Sequence, residues 1–207
     1  FQENNPVLRH TILRRRATLE EQGLLEKVGV DIHPNPDSPS GTYQGIVFNG
    51  LGLLTNHPFN LAYKAAEEFT TLLKKRTKSA GFMKTLLLQR ICSSFKSGIK
   101  TAEKLRSHKE QGLQDEEENR DLGFLAEMTV EEDTQLKIII NELSRPESRD
   151  PKLDAVKFFL NDFKTEGKTW LEHGCLIFSQ YYDTAYWIAE ELAEILSNEP
   201  VAVYAGV

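Results

Sequence analysis

Two cysteines in 207 residues, Cys92 and Cys175, leave no basis for a disulfide framework. Both lie in apolar segments and read as reduced core thiols of a cytosolic protein. No Cys/His cluster has metal-ligand spacing, so no structural zinc is expected. No apolar run approaches the roughly 20 residues that span a bilayer. No charged leader followed by an apolar stretch opens the chain, so no signal peptide is read in it. The sequence also lacks a G-x-x-x-x-G-K-[ST] phosphate loop, a G-x-S-x-G elbow, an H-E-x-x-H helix and a G-x-G-x-x-G turn. Its five histidines (His10, His33, His57, His108, His173) are scattered, and none is near a nucleophile in sequence. No catalytic constellation can be assembled.

What is present is charge, unevenly spread. The net charge of −6 hides a block from Lys64 to Lys109 with twelve basic and three acidic residues, net +9. The stretch from Glu110 to Asp133 has ten acidic residues against Arg120 alone, net −9. A global pI near 5.5 thus conceals a basic surface able to meet phosphates. The 40% apolar content suffices for a core, and the length fits one or two domains. Beginning at Phe1 and stopping just past an apolar run, the chain is expected to be a piece of a longer polypeptide.

Asn5-Pro6 is a cap and first-turn pair, and it predicts a helix ending near Gly23. Val28, Val30 and Ile32 alternate with Gly29 and Asp31, which predicts a half-buried strand within Leu24–His33. Residues 34–41 read as a loop, and Ile46–Leu54 as either strand or short helix. Helices are expected over Phe59–Lys75 and Lys84–His108. The second carries a stripe of Leu87, Ile91, Phe95, Ile99 and Ala102, widened by Leu88, Cys92 and Leu105. The acidic stretch reads as a linker or surface excursion. Helices resume over Thr134–Leu143 and after Asp150-Pro151, which repeats the cap and first-turn signal.

The C-terminal pattern is strand, polar turn, helix, strand. Cys175–Phe178 is wholly apolar, as a strand buried on both faces would be. Ala185, Ile188, Ala189, Leu192, Ile195 and Leu196 share one helical face, and Val201–Tyr204 is a second apolar run. A parallel return makes this a βαβ unit, so the fold class is α/β and helix-rich. Ser179, Gln180 and Tyr181 fall at the carboxyl end of the first strand, where open α/β sheets bind ligands. They also serve a plainer reading, a turn into a helix capped by Asp183 or Thr184.

Arg14-Arg15-Arg16 cannot all face one ligand, since successive helical residues lie about 100° apart. They serve packing and ion pairing or phosphate contact. Lys96, Lys100 and Lys104 recur at four-residue steps and form one ridge. The basic block is either a solvated helical surface or a nucleic-acid backbone surface.

Three segments resemble the Swi/Snf-type branch of the superfamily 2 helicase-like ATPases. Leu13-Arg14-Arg15-Arg16, with Glu26-Lys27-Val28 after it, resembles the helix and extended segment that close the first motor lobe. Asp150-Pro151-Lys152-Leu153-Asp154-Ala155 resembles the lead-in helix to the second lobe. Leu176-Ile177-Phe178-Ser179-Gln180-Tyr181 resembles the fourth helicase motif. The resemblance implies a RecA-like parallel sheet with a helical insertion. Residues 1–33 would end the first lobe, 34–133 would be helical insertion and acidic linker, and 134–207 would begin the second lobe.

It also implies an ATP-dependent DNA translocase or remodelling motor. This segment would contribute the lobe–lobe hinge and DNA-backbone contacts through Arg15, Arg16, Lys96, Lys100, Lys104, Ser179, Gln180 and Tyr181. ATP and magnesium are implied for the intact motor, but the motifs that hold them are absent here, so this chain would not hydrolyse ATP alone. The implied partners are duplex DNA and the remaining motor lobes, in the cytoplasm and associated with nucleoid or nucleus. Two other readings stay open. One is a stand-alone helical nucleic-acid-binding or protein-interaction module with a small α/β cap. The other is a small-molecule-binding α/β domain centred on Ser179 and Gln180.

Overall fold

A computed structural model describes residues 16–26, 47–49, 52–107, 123–197 and 199–205. A short helix α1 (Arg16–Glu21) ends where Gly23 takes a left-handed φ of 66°, a conformation that costs glycine little. The start of the helix expected from Asn5-Pro6 and the expected strand from residue 27 onward lie outside the described residues. Leu24 and Leu25 are exposed in a turn.

Four helices build the main core: α2 (His57–Leu73), α3 (Ala80–Ser93), α4 (Phe95–Ser107) and α5 (Val130–Leu143). α2 packs on α3 and α5, and α4 packs on α3 and α5, so the four close around one apolar interior. Phe69, Leu73, Met83, Leu87, Ile91, Leu105, Leu136 and Ile139 are fully buried in it. A 3₁₀ turn, Gly123–Glu127, adds Leu125 to the same interior.

The helix expected over Lys84–His108 is two helices. Ser94 breaks it with extended backbone (φ −161°, ψ 159°). The reason is partly local, since Ser94 Oγ accepts from the Ser97 amide at 3.1 Å as an N-cap serine does, and partly tertiary. The Asp150 carboxylate accepts from the Phe95 amide at 2.6 Å and thereby caps a new helix start. The break re-aims α4, and Gly98 then sits where an added Cβ would meet Ile91 and Leu143 at 3.0 Å. Periodicity alone could not register this, because the stripe stays in phase across the break.

The acidic stretch is likewise corrected at its C-terminal end. α5 begins at Val130, four residues before the expected Thr134, with Thr129 and Glu132 forming a reciprocal capping box. Glu132 is buried against Arg76. Residues 108–122 lie outside the described residues.

α6 (Pro151–Asn161) starts as its Asp-Pro signal predicted, with Asp150 accepting from the Lys152 and Leu153 amides. Its aromatic side joins two small antiparallel hairpins, β1 (Phe48–Asn49) with β2 (Gly52–Leu53) and β3 (Lys164–Thr165) with β4 (Lys168–Thr169). The hairpin resolves the Ile46–Leu54 ambiguity in favour of strand. Glu166 and Gly167 turn the second hairpin with φ of 54° and 84°, the positive pair that a tight hairpin turn needs. A one-turn helix α7 (Trp170–His173) follows. Phe159 stacks on Trp170 at 4.5 Å, and Phe48 meets Phe158 and Phe159 edge-on at 5.8 and 5.9 Å.

The last helix, α8 (Tyr182–Ile195), lies between segments 175–180 and 199–205, which carry no regular secondary structure. The helix was expected. Neither flanking run belongs to a strand, and among the described residues no parallel sheet occurs. A strand requires a backbone neighbour, and neither segment has one there. Leu176, Phe178 and Tyr204 are consequently 84, 91 and 99% exposed rather than buried. Cys175 is exposed too, so it is not the core thiol expected, and Cys92 is only partly buried. The molecule is therefore helix-rich, with sheet confined to the two hairpins among the described residues.

Candidate nucleic-acid interface

α4 turns a face of small and apolar residues inward and a lysine ridge outward. Ser97, Thr101, Ala102 and Leu105 are buried, while Lys96 and Lys104 are exposed and Lys100 is partly covered. The four-residue step puts the lysines one above another along the helix.

The start of α8 docks against the α3–α4 junction through polar groups. Thr184 Oγ1 lies 2.8 Å from Ser93 Oγ and 2.9 Å from Ser94 Oγ. Tyr181 donates its hydroxyl to Gln89 Oε1 at 3.2 Å, and the Arg90 guanidinium lies 3.9 Å above the Tyr181 ring. Lys100 Nζ donates to Asp183 Oδ1 at 2.6 Å. The helix N-cap is Tyr181, not Asp183 or Thr184, because both of those side chains are committed to α3 and α4.

The expected site residues thus fall into groups. Lys100 and Tyr181 meet at one junction, flanked along α4 by Lys96 and Lys104. Ser179 is spent locally, its Oγ accepting from the Tyr181 amide and donating to the Tyr181 carbonyl, both at 3.1 Å. Gln180 is exposed beside them. Arg15 and the Arg16 side chain lie outside the described residues. Sequence reasoning missed Arg90 and Asp183 as members of this junction. Arg90 was visible only as one charge in a block. Asp183 lies 83 residues from its lysine, and no local pattern links them.

Electrostatics narrows the basic block further. Arg76 grips the buried Glu132 with two bonds, Nε to Oε1 at 2.9 Å and Nη2 to Oε2 at 2.7 Å, and donates Nη1 to the Phe124 carbonyl. Burial opposes ionisation of Glu132, yet the Arg76 bonds and the Thr129 amide hold its carboxyl below the ordinary range. Arg106 and Lys137 both bind Asp133, at 2.7 and 2.6 Å, and hold its carboxyl low. Lys84 pairs with Glu67. Acidic residues of the 110–133 stretch therefore do fold back onto part of the basic block. Lys74, Lys75 and Lys78 after α2, and Lys96 on α4, are exposed; Lys104 is exposed on the same α4 ridge.

Such a surface suits a phosphate backbone, which asks for charge at intervals, and not base edges, which ask for convergent hydrogen bonds. No group of three or more His, Cys, Asp or Glu able to hold a metal occurs among the described residues. No described helix is long and apolar enough to cross a membrane. Comparisons with protein-family models, curated proteins and solved structures give no match in any of the three.

Proposed function

We propose that this chain is a segment of a Swi/Snf-type, ATP-dependent DNA translocase or remodelling motor, in which it carries hinge and DNA-backbone-gripping surfaces. The observation that carries the reading is the junction of the α4 lysine ridge with residues 179–183. Two segments singled out separately in the sequence lie side by side there, as parts of one backbone-gripping surface would. The three motif resemblances, in the family's order, support the same reading. On this proposal the apolar segments flanking α8 become strands of a RecA-like parallel sheet, and their exposed apolar side chains are faces that such a sheet covers.

A second reading, a stand-alone helical nucleic-acid-binding module, is favoured by the four-helix core, which closes on itself. Both readings require duplex binding without sequence preference. Fluorescence anisotropy with a labelled mixed-sequence duplex at several salt concentrations tests that requirement. The double reversal Lys96→Glu/Lys104→Glu should flatten the log–log salt slope by about 2 and leave the circular dichroism spectrum unchanged. A slope that the reversal does not move would remove the ridge from any DNA-binding role.

A further inference from the structure

The middle of the ridge is occupied by the protein itself. Asp183 Oδ1 lies 2.6 Å from Lys100 Nζ, one helical turn from Lys96 on one side and from Lys104 on the other. A carboxylate there offers Lys100 what a phosphate oxygen would, a charge-assisted acceptor. The contact holding Asp183 in place is polar and small. It consists of the Thr184 hydroxyl with Ser93 and Ser94, the Tyr181–Gln89 bond and the Arg90–Tyr181 stack. Within α8 only Thr184 and Leu192 are buried. Its apolar residues Ala185, Ile188 and Ala189 line an open groove of about 560 Å³ rather than the bundle interior. Displacing the first turn of α8 therefore uncovers little apolar surface.

We propose that Asp183 is an intramolecular stand-in for a backbone phosphate. It holds Lys100 in a closed state, and movement of the first turn of α8 releases that lysine to nucleic acid. The inference rests on the reading of the α4 ridge as a nucleic-acid interface. Linkage is reciprocal, so nucleic acid that engages Lys100 also loosens α8 from the α3–α4 junction. In this arrangement the position of α8 sets how many lysines the ridge presents.

The test uses the full chain and the same labelled duplex. Asp183→Asn keeps the shape and removes the charge. It should tighten binding about tenfold at low salt and steepen the salt slope by about 0.9, as one more phosphate is neutralised. Glu190→Gln, exposed on the same helix, makes the same change in net charge without touching Lys100 and should leave the slope where it was. In a Lys100→Gln background, Asp183→Asn should give no gain. Equal effects of Asp183→Asn and Glu190→Gln, or a gain that survives Lys100→Gln, would overturn the latch. If Lys96→Glu/Lys104→Glu weakens binding while Asp183→Asn behaves as the unaltered chain, the latch falls and the interface stands. If the folded chain and Asp183→Asn both fail to bind at the lowest salt, the interface falls with it. Should Asp183→Asn lower the melting temperature, Asp183→Ser repeats the measurement with a smaller side chain.

Discussion

Asp150 holds two helix starts with one carboxylate. Oδ1 accepts from the first turn of α6 and Oδ2 from the first amide of α4. Burial pushes its carboxyl above the ordinary range, and the three amide bonds oppose that push. Asp150→Ala leaves three buried or half-buried amides without their acceptor and should lower unfolding free energy by about 2–4 kcal/mol. Asp150→Ser keeps one cap and should lose less. Urea denaturation of the two variants checks the order. Glu132 is the opposite case, a buried carboxyl held low by Arg76. Its folded pKa lies below the unfolded value, so its contribution is present above about pH 4.3 and is lost as pH falls through the folded value. Glu132→Gln should flatten the acid limb of stability against pH. Arg76→Met strands the buried Glu132 and should cost about 2–4 kcal/mol at neutral pH. Equal acid limbs in Glu132→Gln and the unaltered chain would show that this pair does not govern the acid response.

At the scale of elements, the break at Ser94 decides where the ridge points. A continuous helix would keep α4 on the axis of α3. The break instead lets α4 pack across Leu143 at Gly98, where an added side chain would press on its neighbours. The Ile91 Cα at 3.2 Å is backbone and cannot rotate away, so overpacking outweighs the helix propensity that alanine adds. Gly98→Val should destabilise by about 2 kcal/mol. Gly81→Ala, in the first turn of α3 with nothing within 4 Å of the added atom, should be neutral or stabilise by up to about 1 kcal/mol. Thermal melts of the two variants should therefore move in different directions or by clearly different amounts. Similar losses at both sites would mean that the close approach at Gly98 is not tight.

At the scale of the whole molecule, an apolar core, an aromatic cluster and an uncovered face coexist among the described residues. The bundle core is closed, and Phe48, Phe158, Phe159, Phe163 and Trp170 form a second packed group. The face along α8 is lined by Leu176, Ile177, Phe178, Val201 and Val203 and is open. Folding stability should therefore be indifferent to that face. Phe178→Ser, at 91% exposure, should change unfolding free energy by less than about 0.5 kcal/mol, whereas Phe159→Ala in the aromatic cluster should cost about 3 kcal/mol or more. The native chain should bind a hydrophobic dye such as anilinonaphthalene sulfonate, and Phe178→Ser should reduce the signal. Undiminished dye fluorescence in that variant would place the accessible apolar surface elsewhere.

Local chemistry was legible in the sequence where it acts over one helical turn. The Asp150-Pro151 start of α6, the buried stripe of Leu87, Ile91, Phe95 and Ala102, and the amphipathic α8 all follow from caps and from a 3.6-residue period. The lysine ridge is legible for the same reason. Tertiary structure alone decided what those elements meet. The Asp150 bond to Phe95 spans 55 residues, Arg76 to Glu132 spans 56, and Lys100 to Asp183 spans 83. A backbone partner for Cys175–Phe178 is likewise a long-range matter, and an apolar run is a strand only if a neighbouring strand pairs with it. Side-chain period is a property of the chain, whereas pairing, capping from afar and charge neutralisation are properties of the packed molecule.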